Sequence, residues 1–296
     1  MSANGDLLII SAVRNERAHI ERVVQAVARQ TRPPDAWIVV DDGSDDGTLE
    51  ALHSMQGDVP FMRVLSASED GTAASTRDRL KLAAEARAWN QGLRAADWRS
   101  FAFIGKLDGD IELPPDYYET LLARFEADPR LGIACCNLLE RRGSRWTRLS
   151  IPAHHVHGGI RLYTRACFEA VGGIQERPCW DMIDEAYARM KGFATRSYRE
   201  PMAKHHRPSA SGGGPLRGQA RHGEAAYVSH YYLLWVALRS IKLAFARPRV
   251  LSGAAFLGGY LLAALRRTPR VDDRAYRRHV RRELRQRLTG AFRPAG

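Results

Sequence analysis

Apolar runs of strand length alternate with stretches of helical periodicity through the first half of the chain, and two of those runs stop at clusters of aspartate. Residues 7–13 form the first run. Ile20, Val23, Val24 and Val27 then recur at helical spacing until Pro33 and Pro34 end the segment. A second run, 36–40, halts at Asp41-Asp42-Gly43-Ser44, and a helix over 48–55 is expected after it. A strand over 61–65, a long helix over 77–96 and a strand over 101–107 follow, the last ending in Asp108-Gly109-Asp110. Parallel strands are joined by crossovers, so this alternation predicts an α/β fold with a mostly parallel sheet covered by helices. Ligands of such sheets bind beyond the strand C-termini. Both acidic clusters fall at such ends and can therefore share one crevice despite their separation in sequence.

Past Pro114 and Pro115 the pattern predicts a helix containing Leu121, Leu122 and Phe125, then strands near 133–137, 160–164 and 193–198 with helices over 166–171 and 181–191. The small-residue stretch 209–214 reads as a hinge. The expected organisation is a catalytic domain over 1–208, a flexible linker over 209–226 and an apolar, basic helical tail over 227–296. Four cysteines, Cys135, Cys136, Cys167 and Cys179, lack the paired short spacing of a zinc ribbon or redox dithiol, which fits a reducing compartment.

Moving a sugar off a nucleotide diphosphate requires neutralising the departing diphosphate, and a divalent cation held by aspartates does so. Asp108 and Asp110 suit that task, because Gly109 between them permits the turn to curl. Asp110 is the favoured direct ligand of Mg²⁺ or Mn²⁺, with Asp108 reaching the donor ribose or a metal-bound water. Asp41 or Asp42 supplies a carboxylate able to accept the imide N–H of uracil. Each cluster taken alone is equally an acidic turn.

Together these residues resemble the family 2 inverting glycosyltransferases, of GT-A fold, over roughly residues 7–200. Val13-Arg14-Asn15-Glu16 resembles that family's nucleotide-binding opening, Asp41-Asp42-Gly43-Ser44 its second motif, Asn90 and Gly92 its mid-domain helix, and Leu107-Asp108-Gly109-Asp110 its metal motif. The resemblance implies a Rossmann-like GT-A domain, a nucleotide-sugar donor with UDP-sugars favoured, and a glycan or lipid-linked acceptor. It also implies an aspartate base about eleven residues before a glycine, which Asp181 matches through Gly192. Trp180 stands where glutamate is usual and is placed in the acceptor pocket. Asp184 and Glu185 compete for the role of base within one turn. By the same resemblance His205 or His206 returns to the metal or pyrophosphate, Gly158 and Gly159 leave room for a sugar, and Arg165 faces the diphosphate. His154, His155 and His157 read as an ordinary loop.

Formal charge is +12, concentrated at the C-terminal end in arginines from Arg266 to Arg293. Two apolar stretches precede them, 227–238 and 251–265, neither reaching the ~18 to 20 residues that span a bilayer. The expectation is an interfacial element that buries Leu257, Leu261, Leu262 and Leu265 while arginines meet an anionic membrane surface. Without a leader-like start, the chain is expected at the cytoplasmic face of the inner or plasma membrane, peripheral or re-entrant. Nucleic acid is not expected as a partner, because the arginine-rich tail offers no interleaved stacking platform. The competing reading is a basic membrane- or nucleic-acid-binding adaptor without catalysis. A nucleotidyltransferase is disfavoured, since the segment after the first strand lacks a glycine-rich phosphate loop.

Overall fold

The computed structural model describes residues 6–67, 83–207, 214–245 and 248–290. Strand β1 (Leu7–Val13) is buried on both faces and lies between β2 (Ala36–Asp41) and β4 (Phe103–Leu107), parallel to both; β3 (Met62–Ser66) extends this parallel edge beyond β2. Unbroken aliphatic runs are what a strand covered on both sides requires.

The sheet continues with later strands: β5 (Ile111–Glu112), β6 (Leu131–Arg142), β7 (Arg145–Arg148), β8 (Ile160–Thr164) and β9 (Ala194–His205). Its order is β3-β2-β1-β4-β8-β6-β9-β5, with β7 paired to β6. β8 enters antiparallel between β4 and β6, while β6 and β9 are again parallel, so β1, β2, β3, β4, β6 and β9 share one direction. The mostly parallel sheet expected from the alternation is thus present. Two strands run longer than expected, because β6 and β9 continue past residues 137 and 198 to pair through Glu140 and His205.

Helices α1 (Ile20–Ala28), α2 (Thr48–Gln56), α3 (Ala84–Arg94), α4 (Tyr117–Ala127), α5 (Arg165–Val171) and α6 (Trp180–Met190) are the crossovers and cover. Ile20, Val23, Val24 and Val27 form the buried stripe of α1. In α3, Trp89 donates its indole N–H to the Ile10 carbonyl at 3.1 Å, and Gly92 lets the helix approach β1 and β2. A Cβ at Gly92 would stand 2.7 Å from Ile10 and 2.9 Å from Val40. The start of the expected helix over 77–96 lies outside the described residues.

Met1–Arg207 and Pro208–Pro294 form two compact units. The second contains α7 (Pro215–Val228), α8 (Leu233–Ala244), α9 (Leu251–Leu265) and α10 (Arg274–Leu288). Where a flexible linker is expected over 209–226, residues 215–226 belong to α7. Pro215 at its first turn starts that helix without a lost hydrogen bond. The expected hinge over 209–214 lies outside the described residues apart from Gly214.

Gly92→Val should lower stability by about 1–3 kcal/mol through overpacking against β1 and β2. A shifted urea midpoint at constant slope would register it; an unshifted midpoint would contradict the close helix–sheet approach.

Candidate active site

The pairing of strands brings the acidic clusters to one edge. Val13 pairs with Asp41, and Ile10 with Lys106, so β1, β2 and β4 end side by side. The loop after β1 rests on the turn after β4: a Cβ at Gly109 would meet Val13 Cγ1 at 2.8 Å and Glu16 Cγ at 3.0 Å. From the other side comes the start of β8, where the Asp108 N–H donates to the Gly159 carbonyl at 2.8 Å. A Cβ at Gly159 would fall 2.2 Å from Asp108 Oδ2, and one at Gly158 would fall 3.2 Å from Asp181 Oδ2. Two adjacent glycines therefore touch the carboxylates of Asp108 and Asp181, residues from β4's turn and from the first turn of α6.

Asp110 is buried and receives Arg207 Nε at 3.1 Å, with His205 Nε2 at 3.4 Å from its other oxygen. Burial works to raise its pKa, but the His205 hydrogen bond and the charges of His205 and Arg207 outweigh it and hold the carboxyl below its usual range. Arg207 also pairs with Glu16, whose Oε2 is buried with no hydrogen-bond partner among the described residues. Burial and the nearby Asp110 push Glu16 up to about 8. Asp108 is pushed up to about 6 by burial, against the pull of Lys106.

Lys106, which the sequence reading did not single out, is buried in β4 and bridges Asp108 and Glu85, the latter at 2.6 Å. Burial opposes its charge, yet the two carboxylates raise its pKa above the ordinary lysine value. A charged residue inside an otherwise aliphatic strand was the available signal. Arg207 adjoins a histidine pair already singled out, and its carboxylate partners lie far away in sequence.

Several assignments need correction. Asp184 is not placed to act as a base: it is buried against Arg161 Nη1 at 2.9 Å and the Tyr163 hydroxyl, with burial pushing it up to about 7. Glu185 is likewise committed, accepting the Val156 N–H at 2.9 Å and pairing with His155 at 3.0 Å and Arg161 at 3.6 Å. Burial opposes its charge, but His155, Arg161 and Arg189 outweigh this and lower it to about 2. Asp181 has no hydrogen-bond partner for its carboxylate among the described residues, so of the three acids it is the available one. His155 and His157 lie in the loop before β8, as expected; there His155 pairs with Glu185 and His157 sits 5.6 Å from the His205 ring.

Arg165 follows Thr164, which pairs with Phe103 at the start of β4, so it lies at the opposite end of that strand from Asp108, roughly 15 Å along the sheet. It donates to the Arg99 carbonyl at 2.6 Å and cannot face a diphosphate at Asp108. Asn90 gives its amide to the Ile174 carbonyl at 2.9 Å and to Glu176 at 3.2 Å, tying α3 to that loop rather than to a nucleotide. Asp41 accepts from the Gly43 and Ser44 N–H groups at 3.1 and 3.0 Å and from the Ser44 hydroxyl; it shapes the turn and has little capacity left for a base. Its neighbour Asp42 is anchored through backbone, donating to Val13 O at 2.8 Å and accepting from Arg14 at 3.0 Å. Asn15 is locked to Ser44 and Asp45. His206 binds Glu112 at 2.8 Å and stacks on His19, so only His205 faces Asp110. Trp180 is buried with the Arg161 guanidinium 4.9 Å from its ring centroid, leaving a sugar little of its surface.

Among the described residues no three metal-ligating side chains are preassembled. The donor chemistry nevertheless suits Mg²⁺ or Mn²⁺: Asp108 and Asp110 offer hard oxygens, His205 an imidazole, and Glu16 Oε2 is a buried oxygen with no hydrogen-bond partner among the described residues.

The glycosyl transferase family 2 model matches residues 8–168. Chondroitin synthase of Pasteurella multocida is 26% identical over 176 residues, 54% of this chain but 16% of that protein. The chain thus corresponds to a small part of that relative. Mannosyltransferase PcManGT from Pyrobaculum calidifontis, solved with GDP-Man and Mn²⁺, superposes with TM-score 0.53 at 18% identity, over 98% of this chain and 82% of that one. Staphylococcus aureus TarS with UDP-GlcNAc gives 0.55 at 12% identity, over 97% and 83%. At these identities the structural likeness is one of fold.

Because Glu185 has its carboxyl held below the free value of 4.5, the stability it contributes is present above that pH and is lost as pH falls toward about 2. Glu185→Gln should be less stable than the parent by about 3 kcal/mol near pH 7, since it strands buried cations. Urea unfolding at about pH 3 should show a smaller gap; a gap independent of pH would contradict this ion-pair role.

Proposed function

The chain belongs to glycosyl transferase family 2, and we propose that it transfers a sugar from a nucleotide-diphosphate donor, a UDP-sugar first among candidates, to a hydroxyl acceptor with inversion at the anomeric carbon. The observation that carries this reading is the glycine pair. Gly158 and Gly159 contact Asp181 and Asp108, which keeps those carboxylates at most about 12 Å apart and leaves backbone, not side chain, between them.

In the proposed reaction the acceptor hydroxyl gives its proton to Asp181 as its oxygen bonds the anomeric carbon. The bond from that carbon to the diphosphate breaks on the opposite face, and its electron pair leaves with the nucleotide. Asp108, held by Lys106 and the Gly159 carbonyl, orients the donor at the end of β4. Asp110 and His205, with Asp108, would hold a divalent cation, which supplies neutralisation of the departing diphosphate. The strand-end loop 13–16 and the Asp41-Asp42 turn bound the donor's nucleoside side, where a carboxylate of that turn would accept the imide N–H. Chondroitin and hyaluronan synthases among the relatives favour a glycan acceptor, and a lipid-linked one fits work at the inner face of a membrane.

Asp181→Asn should cut turnover on the order of 10²–10⁴-fold while leaving donor binding, followed by thermal stabilisation, within a factor of a few. Asp110→Asn should lose Mn²⁺-dependent stabilisation by nucleotide as well as turnover, and EDTA should reproduce that loss in the parent chain. Full nucleotide release by either variant, or in EDTA, would overturn the assignment.

A further inference from the structure

Residues 208–296 hold seventeen Lys and Arg against four Asp and Glu, +13 where the whole chain is +12, so the first 207 residues are nearly neutral. The same unit holds twelve of the thirteen exposed large apolar side chains among the described residues; Trp146 is the exception. Surplus cation and surplus exposed hydrocarbon therefore coincide.

The hairpin of α8 and α9 is packed inside out relative to a water-soluble one. Its helix contacts run through glycine: a Cβ at Gly223 in α7 would lie 1.9 Å from the Phe256 carbonyl oxygen, at Gly259 2.0 Å from that of Ala220, and at Gly253 2.2 Å from that of Ser240. Such backbone-to-backbone approach is the mode helices use in lipid, where burying leucine against leucine gains nothing. Val236, Phe256 and Tyr260 are buried beside these contacts, while most leucines of the two helices point away. Along α8, Leu234, Leu238, Ile241 and Phe245 recur every three or four residues and are exposed. In α9, Leu251 at the start and Leu261, Leu262 and Leu265 in the last turns are exposed as well.

Exposed cations border this stripe. Lys242 and Arg249 lie where α8 ends and α9 begins, and Arg266 and Arg267 follow α9 directly. In α10, Tyr276, Val280 and Leu284 turn inward and Arg274, Arg277, Arg278 and Arg282 outward. α8 and α9, at 12 and 15 residues, measure roughly 18 and 22 Å against a hydrocarbon core of about 30 Å. No described helix is long and apolar enough to cross a membrane.

We propose that α8 and α9 lie in the plane of one leaflet of an anionic bilayer, with the leucine stripe among the acyl chains and the bordering arginines on phospholipid headgroups. The inference does not rest on the transferase reading.

Flotation of the full chain with phosphatidylcholine vesicles, with and without phosphatidylglycerol, tests it. The parent should float with the mixed vesicles and about tenfold less with phosphatidylcholine alone. Leu234→Gln/Leu238→Gln/Ile241→Gln should lose about tenfold in partitioning, and so should Leu261→Gln/Leu265→Gln, with unchanged helicity by circular dichroism. Lipid-free nucleotide release should be unaffected in both, which separates failure of the membrane seat from failure of the catalytic assignment. Flotation of the variants equal to the parent would overturn the proposal. So would a parent that ignores vesicles but binds RNA, or one that forms a dimer which the glutamines dissolve.

Discussion

Too many carboxylates share the C-terminal edge of this sheet, and much of the first unit is arranged to hold them there. Glu16, Asp108 and Asp110 are all buried or nearly so, and like charges at that depth repel strongly. Their neutralisation comes from three places: Lys106 within β4, His205 at the end of β9, and Arg207 just beyond it. Only a sheet that sends β9 back to pair with β5, directly after the Asp110 turn, can bring residues 205–207 to that edge. Burial first, and neighbouring carboxylates second, raise the pKa values of Glu16 and Asp108 against the pull of Arg207 and Lys106.

Behind this edge lies a second buried polar network, with a different task. Arg161 reaches Asp184, the carbonyls of Val156 and Asp181, and Glu185, while Tyr163 and His155 close the remaining valences. A buried ion cluster of this kind is expensive to desolvate and is a weak source of stability. Its structural effect is positional: it pins the first turns of α6 to β8 and thereby sets Asp181 against Gly158. Of three acids in one helical turn, two are spent on anchoring and one is left facing the crevice.

The second unit obeys another rule. In the first, leucine, isoleucine and valine fill the core and glycine appears where backbone must come close. In the second, glycine makes the closest contacts of α9 with α7 and α8, and most leucines of α8 and α9 face outward. A chain folding in water alone would gain by the reverse arrangement, at about 25 cal/mol per Å² of apolar surface buried. The inversion is the reason a lipid leaflet is the occupant proposed for that face.

The alternation of apolar period and helical period was sufficient to place β1, β2 and β4 side by side and their acidic turns at one edge, because parallel strands with crossovers leave few other topologies. Hydrophobic periodicity likewise marked α1 in the sequence, and an uncharged apolar run marked α9. Local pattern could not tell Asp181 from Asp184 and Glu185, since their difference is made by Arg161, twenty residues before Asp181. Nor could it show that Arg165 sits at the far end of β8, because an antiparallel insertion of that strand reverses which end faces the site. Asp41 looked like a ligand until its own turn consumed it, and Lys106 looked like nothing at all. Composition and period are properties of a segment, and they determined the sheet; which charge meets which is a property of register and long-range pairing, and only the folded chain decided that.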